Sequence, residues 1–186
     1  MENAIFEQLE QLARDLGAFK AKVIPTKDVP TDASFRTLCE KNTCHSYGMN
    51  YGCPPDVGTV EEVLEALYSY QYILVYQYVG ELEDSFDFEG MTAAGDRHRA
   101  LVCRFREKAD AGITLPRRLY LGAGGCRYCK TCARVTNEPC RFPEKRIASL
   151  ESYCVNVSQL AKAADMKYIN GQNTVTYFGG MLFDLQ

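Results

Sequence analysis

Hydrophobic residues recur at helical spacing in several stretches of the chain, and these stretches alternate with short β-forming runs. The first helix is predicted from Ile5, Leu9, Leu12 and Leu16, and Gly17 follows as its stop signal. Further helices are predicted at residues 32–38, 60–67, 94–109, 144–151 and 157–164. The longer of these carry one apolar stripe, which is typical of helices that pack on a core.

Four runs rich in β-formers separate the helices. Residues 19–23 alternate between apolar residues and lysine, and residues 72–79 are almost continuously β-forming, so we expect a half-exposed strand and a buried strand. Two more strands are predicted at 119–121 and 174–183, the last with a bulge at its Gly-Gly pair. This alternation indicates an α/β protein, a single domain over residues 1–186 with a mixed sheet of about four strands and flanking helices.

Two irregular, cysteine-rich loops interrupt the pattern, at residues 39–55 and 122–146. The second leaves the end of the third predicted strand, where α/β sheets usually place function. Its cysteines follow the spacing C-x2-C-x2-C-x7-C and are Cys126, Cys129, Cys132 and Cys140. The two-residue gaps let sulfurs converge, and Pro139 favours a turn that returns the last cysteine. Because thiolates bind soft metals, we interpret this motif as a [4Fe–4S] site.

Zinc is the main alternative at this motif. Structural zinc also binds four thiolates, but its usual arrangement is two C-x2-C pairs separated by a longer spacer. A run of three cysteines at i, i+3 and i+6 suits a cubane cluster better. Free or disulfide-bonded thiols are a third alternative, although nine cysteines in a chain that begins without an export signal indicate a reducing compartment.

The first loop contains three more cysteines with the spacing C-x4-C-x8-C, Cys39, Cys44 and Cys53. Three thiols in an irregular loop predict a second metal site, which we interpret as a second [4Fe–4S] cluster. Its fourth ligand is not in the local sequence, and the candidates are Cys103, Cys154, His45 and a non-protein ligand. The alternatives are a loop that is merely rich in thiols and a loop that gives one cysteine to the other site.

Composition and charge indicate the class of protein that carries these sites. The 186 residues are 46% hydrophobic, which is enough for a core, and the formal net charge of -3 gives no basic field for nucleic acid. No apolar run approaches the length that crosses a membrane. The first ten residues are acidic and helical in pattern, unlike a signal peptide, so we expect a cytoplasmic protein. Nothing in the sequence indicates the oligomeric state.

Both cysteine motifs and the end of the chain resemble one family. The stretches that carry the resemblance, besides the cysteine spacings, are Cys53-Pro-Pro, Leu-Gly-Ala-Gly-Gly-Cys126, Cys140-Arg-Phe-Pro-Glu and the ending Asn173-Thr-Val-Thr-Tyr-Phe-Gly. The family is the predicted metal-binding protein family known as domain of unknown function 2284, and the resemblance runs from about Cys39 to the C-terminus. It implies metal binding and an anaerobe-associated bacterial or archaeal source, but no particular activity. The second motif is also similar to the cluster motif of iron–sulfur flavoproteins, which implies a [4Fe–4S] cluster. No flavin phosphate loop is recognisable, so we expect no flavin.

Three functions are consistent with these sites. The first is an electron-transfer protein or redox accessory protein that exchanges single electrons with a redox partner protein. The second is a catalytic iron–sulfur protein, in which a cluster held only by Cys39, Cys44 and Cys53 leaves one iron open as a Lewis acid near His45. The third is a structural zinc protein whose loops bind a protein partner. Whether the chain is an enzyme stays open.

Basic residues around the second motif bear on the choice of partner. They are Arg127, Lys130, Arg134, Arg141, Lys145 and Arg146. Some of them should offset the negative charge of a cluster with four thiolates, and the rest would suit an acidic redox partner. An ordinary solvated basic face is the alternative.

Overall fold

The computed structural model describes residues 2–185, which form five α-helices around one five-stranded sheet. The helices are α1 (Glu2–Asp15), α2 (Ser34–Glu40), α3 (Val60–Tyr68), α4 (Phe88–Gly112) and α5 (Val157–Ala163). The strands are β1 (Lys20–Pro25), β2 (Tyr72–Glu81), β3 (Arg118–Gly122), β4 (Ala148–Ser149) and β5 (Thr174–Phe183). The α/β class predicted from the sequence is confirmed, with one strand more than the four expected.

The sheet is mixed, and its strand order is β1-β2-β5-β3-β4. The pairs β1/β2, β2/β5 and β5/β3 are antiparallel, and β3/β4 is parallel. The pairing of β2 with β5 is the longest and runs without interruption from Tyr72↔Phe183 to Glu81↔Thr174. The four predicted strands therefore form the body of the sheet, and the short β4 adds an edge beside β3.

Two apolar cores lie on opposite faces of this sheet. Leu74 and Tyr76 of β2 join the core that contains residues of α1 and α4. Ile73 and Val75 join the other core, which contains residues of α3 and α5. Successive side chains of a strand point to opposite faces, so a strand covered on both sides must be apolar at nearly every position. This explains the continuous β-forming run that the sequence shows here.

Side-chain caps begin two of the predicted helices. At the start of α3 the Glu62 amide donates to the Thr59 hydroxyl at 3.2 Å, and the Thr59 amide donates to the Glu62 carboxylate at 2.8 Å, which forms a capping box. At the start of α4 the Asp87 carboxylate accepts a hydrogen bond from the Gly90 amide at 2.7 Å. The predicted apolar face of α4 is buried throughout, at Ala94, His98, Leu101, Val102, Phe105 and Ala109.

The helix predicted at 144–151 is wrong. Pro143–Lys145 forms a single 3₁₀ turn, Ala148 and Ser149 pair with β3, and a second 3₁₀ turn follows at Glu151–Tyr153. The Leu150 amide then donates to the Gly122 carbonyl at 3.0 Å. Backbone groups that a helix would need for its own hydrogen bonds are used by the sheet, so the helix cannot form.

The bulge predicted at Gly179 and Gly180 is also wrong, because both residues keep the regular register with β2. The glycine at 179 instead makes room for an aromatic ring on the neighbouring strand. A Cβ atom added there would lie 2.5 Å from the ring of Tyr76. The pair therefore serves close packing in the sheet and leaves the hydrogen-bond ladder intact.

The two cysteine-rich segments are mostly irregular and lie outside the sheet. The first connects α2 to α3, and the second connects β3 to β4. The second segment starts at the carboxyl end of β3 and returns to the amino end of β4. These two strands are parallel neighbours in the sheet. Among residues 2–185, no helix combines the length and the apolar character needed to span a membrane.

Candidate metal centre

The first cysteine loop is a series of turns between α2 and α3. Cys39 lies near the end of α2 and is half-buried, Cys44 is exposed, and Cys53 is buried. A backbone hydrogen bond from the Gly48 amide to the Pro54 carbonyl, at 2.8 Å, closes the loop around its last cysteine. The three predicted ligands thus belong to one folded loop.

The second cysteine loop folds back on itself. Phe142 packs edge-on against Tyr128, with their ring centroids 5.2 Å apart. The Arg141 guanidinium donates to the Thr131 carbonyl at 3.2 Å. These contacts return the segment around the last cysteine to the run that holds the first three. All four cysteines of this loop are half-buried, Cys126, Cys129, Cys132 and Cys140.

Asn50 joins the two loops. Its side-chain oxygen Oδ1 accepts a hydrogen bond from the Gly52 amide at 3.0 Å and another from the Cys126 amide at 3.1 Å. Its side-chain nitrogen donates to the Ser46 carbonyl at 3.3 Å. Asn50 is only 7% exposed, so water does not readily replace these bonds. One buried amide therefore fixes the first cysteine of the second loop against the first loop.

Two glycines allow the loops to approach so closely. A Cβ atom added at Gly52 would lie 2.8 Å from the Cβ of Cys126 and 2.5 Å from the Ile147 carbonyl oxygen. A Cβ atom added at Gly125 would lie 2.5 Å from the side-chain nitrogen of Asn50. Any other residue at these two positions would push the loops apart.

Contacts at the outer side of the loops strengthen the same junction. The Tyr51 hydroxyl donates to the Glu138 carbonyl at 2.6 Å. The Arg134 guanidinium contacts both carboxylate oxygens of Asp56, at 2.8 and 2.9 Å. Both side chains of this ion pair are largely shielded from solvent, which strengthens the attraction relative to a fully exposed pair. The two loops thus form one unit.

The thiols of the first loop are near enough to affect one another's ionisation. Burial is the main cause that raises the pKa of the Cys53 thiol. Charges on Cys39 and Cys44 raise the pKa of this thiol further, and so does a charge on Cys126 of the second loop. The pKa of Cys39 is likewise raised by burial first and then by Cys44. Cys39, Cys44 and Cys53 therefore share one neighbourhood, with Cys126 at its edge.

The candidate fourth ligands lie in different places. Cys154 is fully buried, and its charge contributes to the raised pKa of Cys39, of which burial is the main cause. Cys103 is half-buried on α4, and its pKa is raised by burial and, more weakly, by Cys126. His45 is exposed in the first loop. Cys154 thus lies beside the first loop and Cys103 beside the second.

The donor set fits a soft metal bound by thiolates. Seven cysteines come from two segments in direct contact, and thiolates are the preferred ligands of iron–sulfur clusters and of structural zinc. Within the described part of the chain, residues 2–185, no three His, Cys, Asp or Glu side chains are arranged to hold a single metal ion. The thiols share a neighbourhood without forming a cage around one ion.

Half of the basic residues near the second motif are engaged in contacts. Arg134 pairs with Asp56, and Arg141 pairs with Glu138 at 3.3 Å. The Lys145 ammonium donates to the Tyr128 hydroxyl at 3.0 Å. The other three make no ion pair with any residue in the range 2–185, and they are Arg127, Lys130 and Arg146. The basic cluster is therefore divided between residues that shape the loop and residues that leave their charge available.

Sequence reasoning missed the residues that join the loops. Asn50 has no ligand-like spacing, and the Cys126 amide that it accepts is 76 positions away. Tyr51 and Asp56 were also not singled out. A signal was present in the asparagine that stands between Gly48 and Gly52, because asparagine often satisfies the amides of irregular backbone.

Comparison with known families gives one match. A family model described as predicted metal-binding protein (DUF2284) matches residues 22–183. Comparisons with curated proteins and with solved structures gave no match. The matched range contains both cysteine loops, all five strands except the first two residues of β1, and helices α2 to α5.

Proposed function

The chain belongs to the DUF2284 family of predicted metal-binding proteins, and from this premise we propose that it is an iron–sulfur protein. It holds one or two [4Fe–4S] clusters and acts in electron transfer or as a redox accessory protein. The observation that carries the proposal is the junction at Asn50, which brings two thiol-rich loops into one unit. The junction places Cys126, the first cysteine of the second motif, against the loop that contains Cys39, Cys44 and Cys53.

The ligands of the first cluster are assigned to the second loop, Cys126, Cys129, Cys132 and Cys140. The second cluster is assigned to Cys39, Cys44 and Cys53. When bound, a [4Fe–4S] cluster accepts or donates one electron. The protein's own residues hold the loops together through contacts such as the Arg134–Asp56 ion pair and limit water around the buried Cys53.

The arrangement of the thiols supports iron–sulfur over zinc. One zinc ion draws its sulfurs into a tight tetrahedron at roughly 2.3 Å from the metal, whereas each thiolate of a cubane binds a different iron. Cubane ligands therefore stand further from one another. The run of three cysteines at i, i+3 and i+6 in the second motif agrees with the larger cluster.

The surface around the second loop suits a redox partner protein. Apolar side chains are exposed beside the cysteines, with exposed fractions of 38% at Tyr128, 48% at Val135 and 40% at Phe142. Lys130 and Arg127 lie on the same loop with their charges available. Exposed apolar groups and available positive charges on one loop favour a partner whose docking face is acidic.

A catalytic role is the second candidate, and it depends on the fourth ligand of the first loop. If Cys39, Cys44 and Cys53 are the only protein ligands there, one iron is open to a substrate. The position of buried Cys154 beside Cys39 makes it the thiol most able to close that site. The double variant Cys103→Ala/Cys154→Ala tests this. Unchanged iron content and an unchanged spectrum would support the open iron. Loss of a cluster would remove the basis for an open iron.

The proposed function as a whole is tested by anaerobic purification, with iron, zinc and sulfide measured and an EPR spectrum recorded after reduction. About eight irons per chain with matching sulfide mean two clusters. About four mean one cluster and a simple carrier. Zinc in whole numbers without sulfide discards the redox function and supports the third candidate, a structural zinc protein that binds a partner through its loops.

A further inference from the structure

A groove lies beside the second cysteine loop, between that loop, α4 and β5. Its volume is about 350 Å³, which is in the range of small-molecule sites. Apolar groups of Phe88, Met91 and Tyr177 form part of its wall. The groove is located at the carboxyl end of β3, where the second cysteine loop begins.

His98 lies in the lining of this groove and is only 2% exposed. Its Nε2 atom has no hydrogen-bond partner among residues 2–185. A buried polar atom without a partner is costly, and such atoms in native proteins usually have a functional explanation. The imidazole stacks on the ring of Tyr177, with centroids 5.7 Å apart and planes 26° apart. Two flat rings thus lie side by side in the lining of the groove.

The groove has an excess of positive charge. Arg99 and Arg127 line it, and Asp96 is the acidic residue in the same lining. Asp96 pairs with Arg99 at 3.0 Å, which leaves the charge of Arg127 in excess. A guanidinium binds a carboxylate with two parallel hydrogen bonds, so Arg127 is suited to an anionic group of that shape.

The groove continues toward the cysteines. A smaller cavity shares His98, Arg99 and Arg127 with it and is also lined by Cys103 and Cys126. The backbone between the two cavities is the Gly-rich start of the second loop, where Gly124 has a φ of +71° and no atom within 4 Å of an added Cβ. A molecule in the groove therefore lies next to the cavity that Cys126 lines.

We propose that this groove binds a small organic anion with a flat apolar body, of the aromatic carboxylate class. Arg127 takes the carboxylate, and the flat body lies against Tyr177, which stacks on the buried His98, and covers Phe88, which is otherwise 72% exposed. The lining of the groove contains no cysteine. Coupling of the bound anion to the neighbouring iron–sulfur centre rests on the proposed function.

Benzoate is the probe, titrated by calorimetry into the anaerobically purified protein. We expect benzoate to bind and its neutral analogue benzamide to bind at least tenfold more weakly, because benzamide lacks the charge that Arg127 attracts. Inorganic phosphate, which lacks the flat body, should also bind at least tenfold more weakly. No benzoate binding, or equal binding of all three, overturns the proposal.

Two variants and one matched control locate the site. Arg127→Gln should weaken benzoate binding at least tenfold, whereas Arg97→Gln, an exposed arginine of α4 outside the groove lining, should change it less than twofold. Thr92→Trp fills the groove from α4, away from the cysteines, and should abolish binding. Equal effects of the two arginine variants, or full binding in Thr92→Trp, contradict the site.

Iron and sulfide are measured on the same samples, so that the two proposals can fail separately. Benzoate binding to a protein without iron and sulfide keeps the groove but removes its coupling to an iron–sulfur centre. With the clusters present, benzoate should alter the EPR spectrum of the reduced protein, and this change should be absent in Arg127→Gln. Binding without any spectral change limits the groove to a binding site.

Discussion

The side-chain oxygen of Asn50 accepts a hydrogen bond from the amide of Cys126 at 3.1 Å, across 76 positions of sequence. The same oxygen accepts the amide of Gly52, which directly precedes Cys53. A single buried side chain thus connects the last cysteine of the first loop with the first cysteine of the second. Because the two loops share this contact, a change at Asn50 should act on both.

We expect Asn50→Ala to lower stability and metal content together. The substitution leaves the buried amides of Gly52 and Cys126 without an acceptor, at a cost of about 1–3 kcal/mol each before relaxation. Chemical denaturation measures the loss of stability, and iron and sulfide per chain measure the effect on the sites. Thr43→Ala, at an exposed position of the same loop, is the control and should change neither quantity. Normal iron content in Asn50→Ala would show that the loops do not depend on this side chain.

Gly52→Ala should separate the loops by steric overlap. The new methyl group would lie 2.8 Å from the Cβ of Cys126 and 2.5 Å from a backbone oxygen, so backbone must move, at a cost of roughly 1–3 kcal/mol. We expect lower iron content and a lower midpoint of thermal unfolding. Gly112→Ala is the matched control, since an added Cβ at that position meets nothing within 4 Å. Equal behaviour of the two variants would contradict the close contact.

The sequence predicts the elements whose cause is local. Helix α3 and strand β2 carry their own signals, the Thr59–Glu62 capping box and a continuous apolar run, and both elements form where those signals stand. The segment Ala148–Ser149 has no such signal, because a two-residue strand is stabilised by its partner β3. Pro143 is compatible with the start of a helix, but the following backbone groups pair with the sheet. At this segment the tertiary contact with β3 determines the structure, and the local helix propensity does not.

The candidate site likewise has a part that the sequence predicts and a part that it does not. The spacing of Cys126, Cys129, Cys132 and Cys140 is visible in one short segment, so a metal motif can be recognised without a structure. The contact between this segment and Asn50 depends on how the whole chain returns to one place, which local spacing does not encode. The same holds for the groove at His98, whose lining comes from a helix, a loop and a strand.

We expect substitution of Cys126 to affect both cysteine groups and substitution of Cys140 to affect one. The Cβ of Cys126 lies against Gly52, and its charge raises the pKa of the Cys53 thiol, of which burial is the main cause. We therefore expect Cys126→Ala to remove more iron per chain than Cys140→Ala and to alter the EPR signals of both clusters. Iron, sulfide and EPR on the two variants side by side provide the measurement. Equal iron loss would assign Cys126 to the second motif alone.

His98 should make the folded protein less stable in acid. Burial, and to a smaller extent the nearby charge of Arg99, lower its pKa from 6.5 to about 4 in the folded state. The unfolded chain therefore binds a proton at a pH where the folded chain does not. Protonation of His98 therefore leaves the free energy of unfolding unchanged above pH 6.5. It lowers this free energy by about 3 kcal/mol in total as the pH falls from 6.5 to 4.

The test compares the wild type with His98→Phe, which keeps an aromatic ring beside Tyr177 but cannot bind a proton. Other groups near His98 are Tyr76 on β2 and the Arg99 and Arg127 side chains that line the same groove, and all are present in both proteins. Their contributions, and any acid sensitivity of a bound metal, therefore cancel in the difference between the two free energies of unfolding. Urea denaturation between pH 7 and pH 4 should show the wild type losing about 3 kcal/mol relative to the variant. Parallel pH profiles would mean that His98 reaches solvent and protonates in the folded protein, which would also remove the buried imidazole from the lining of the groove.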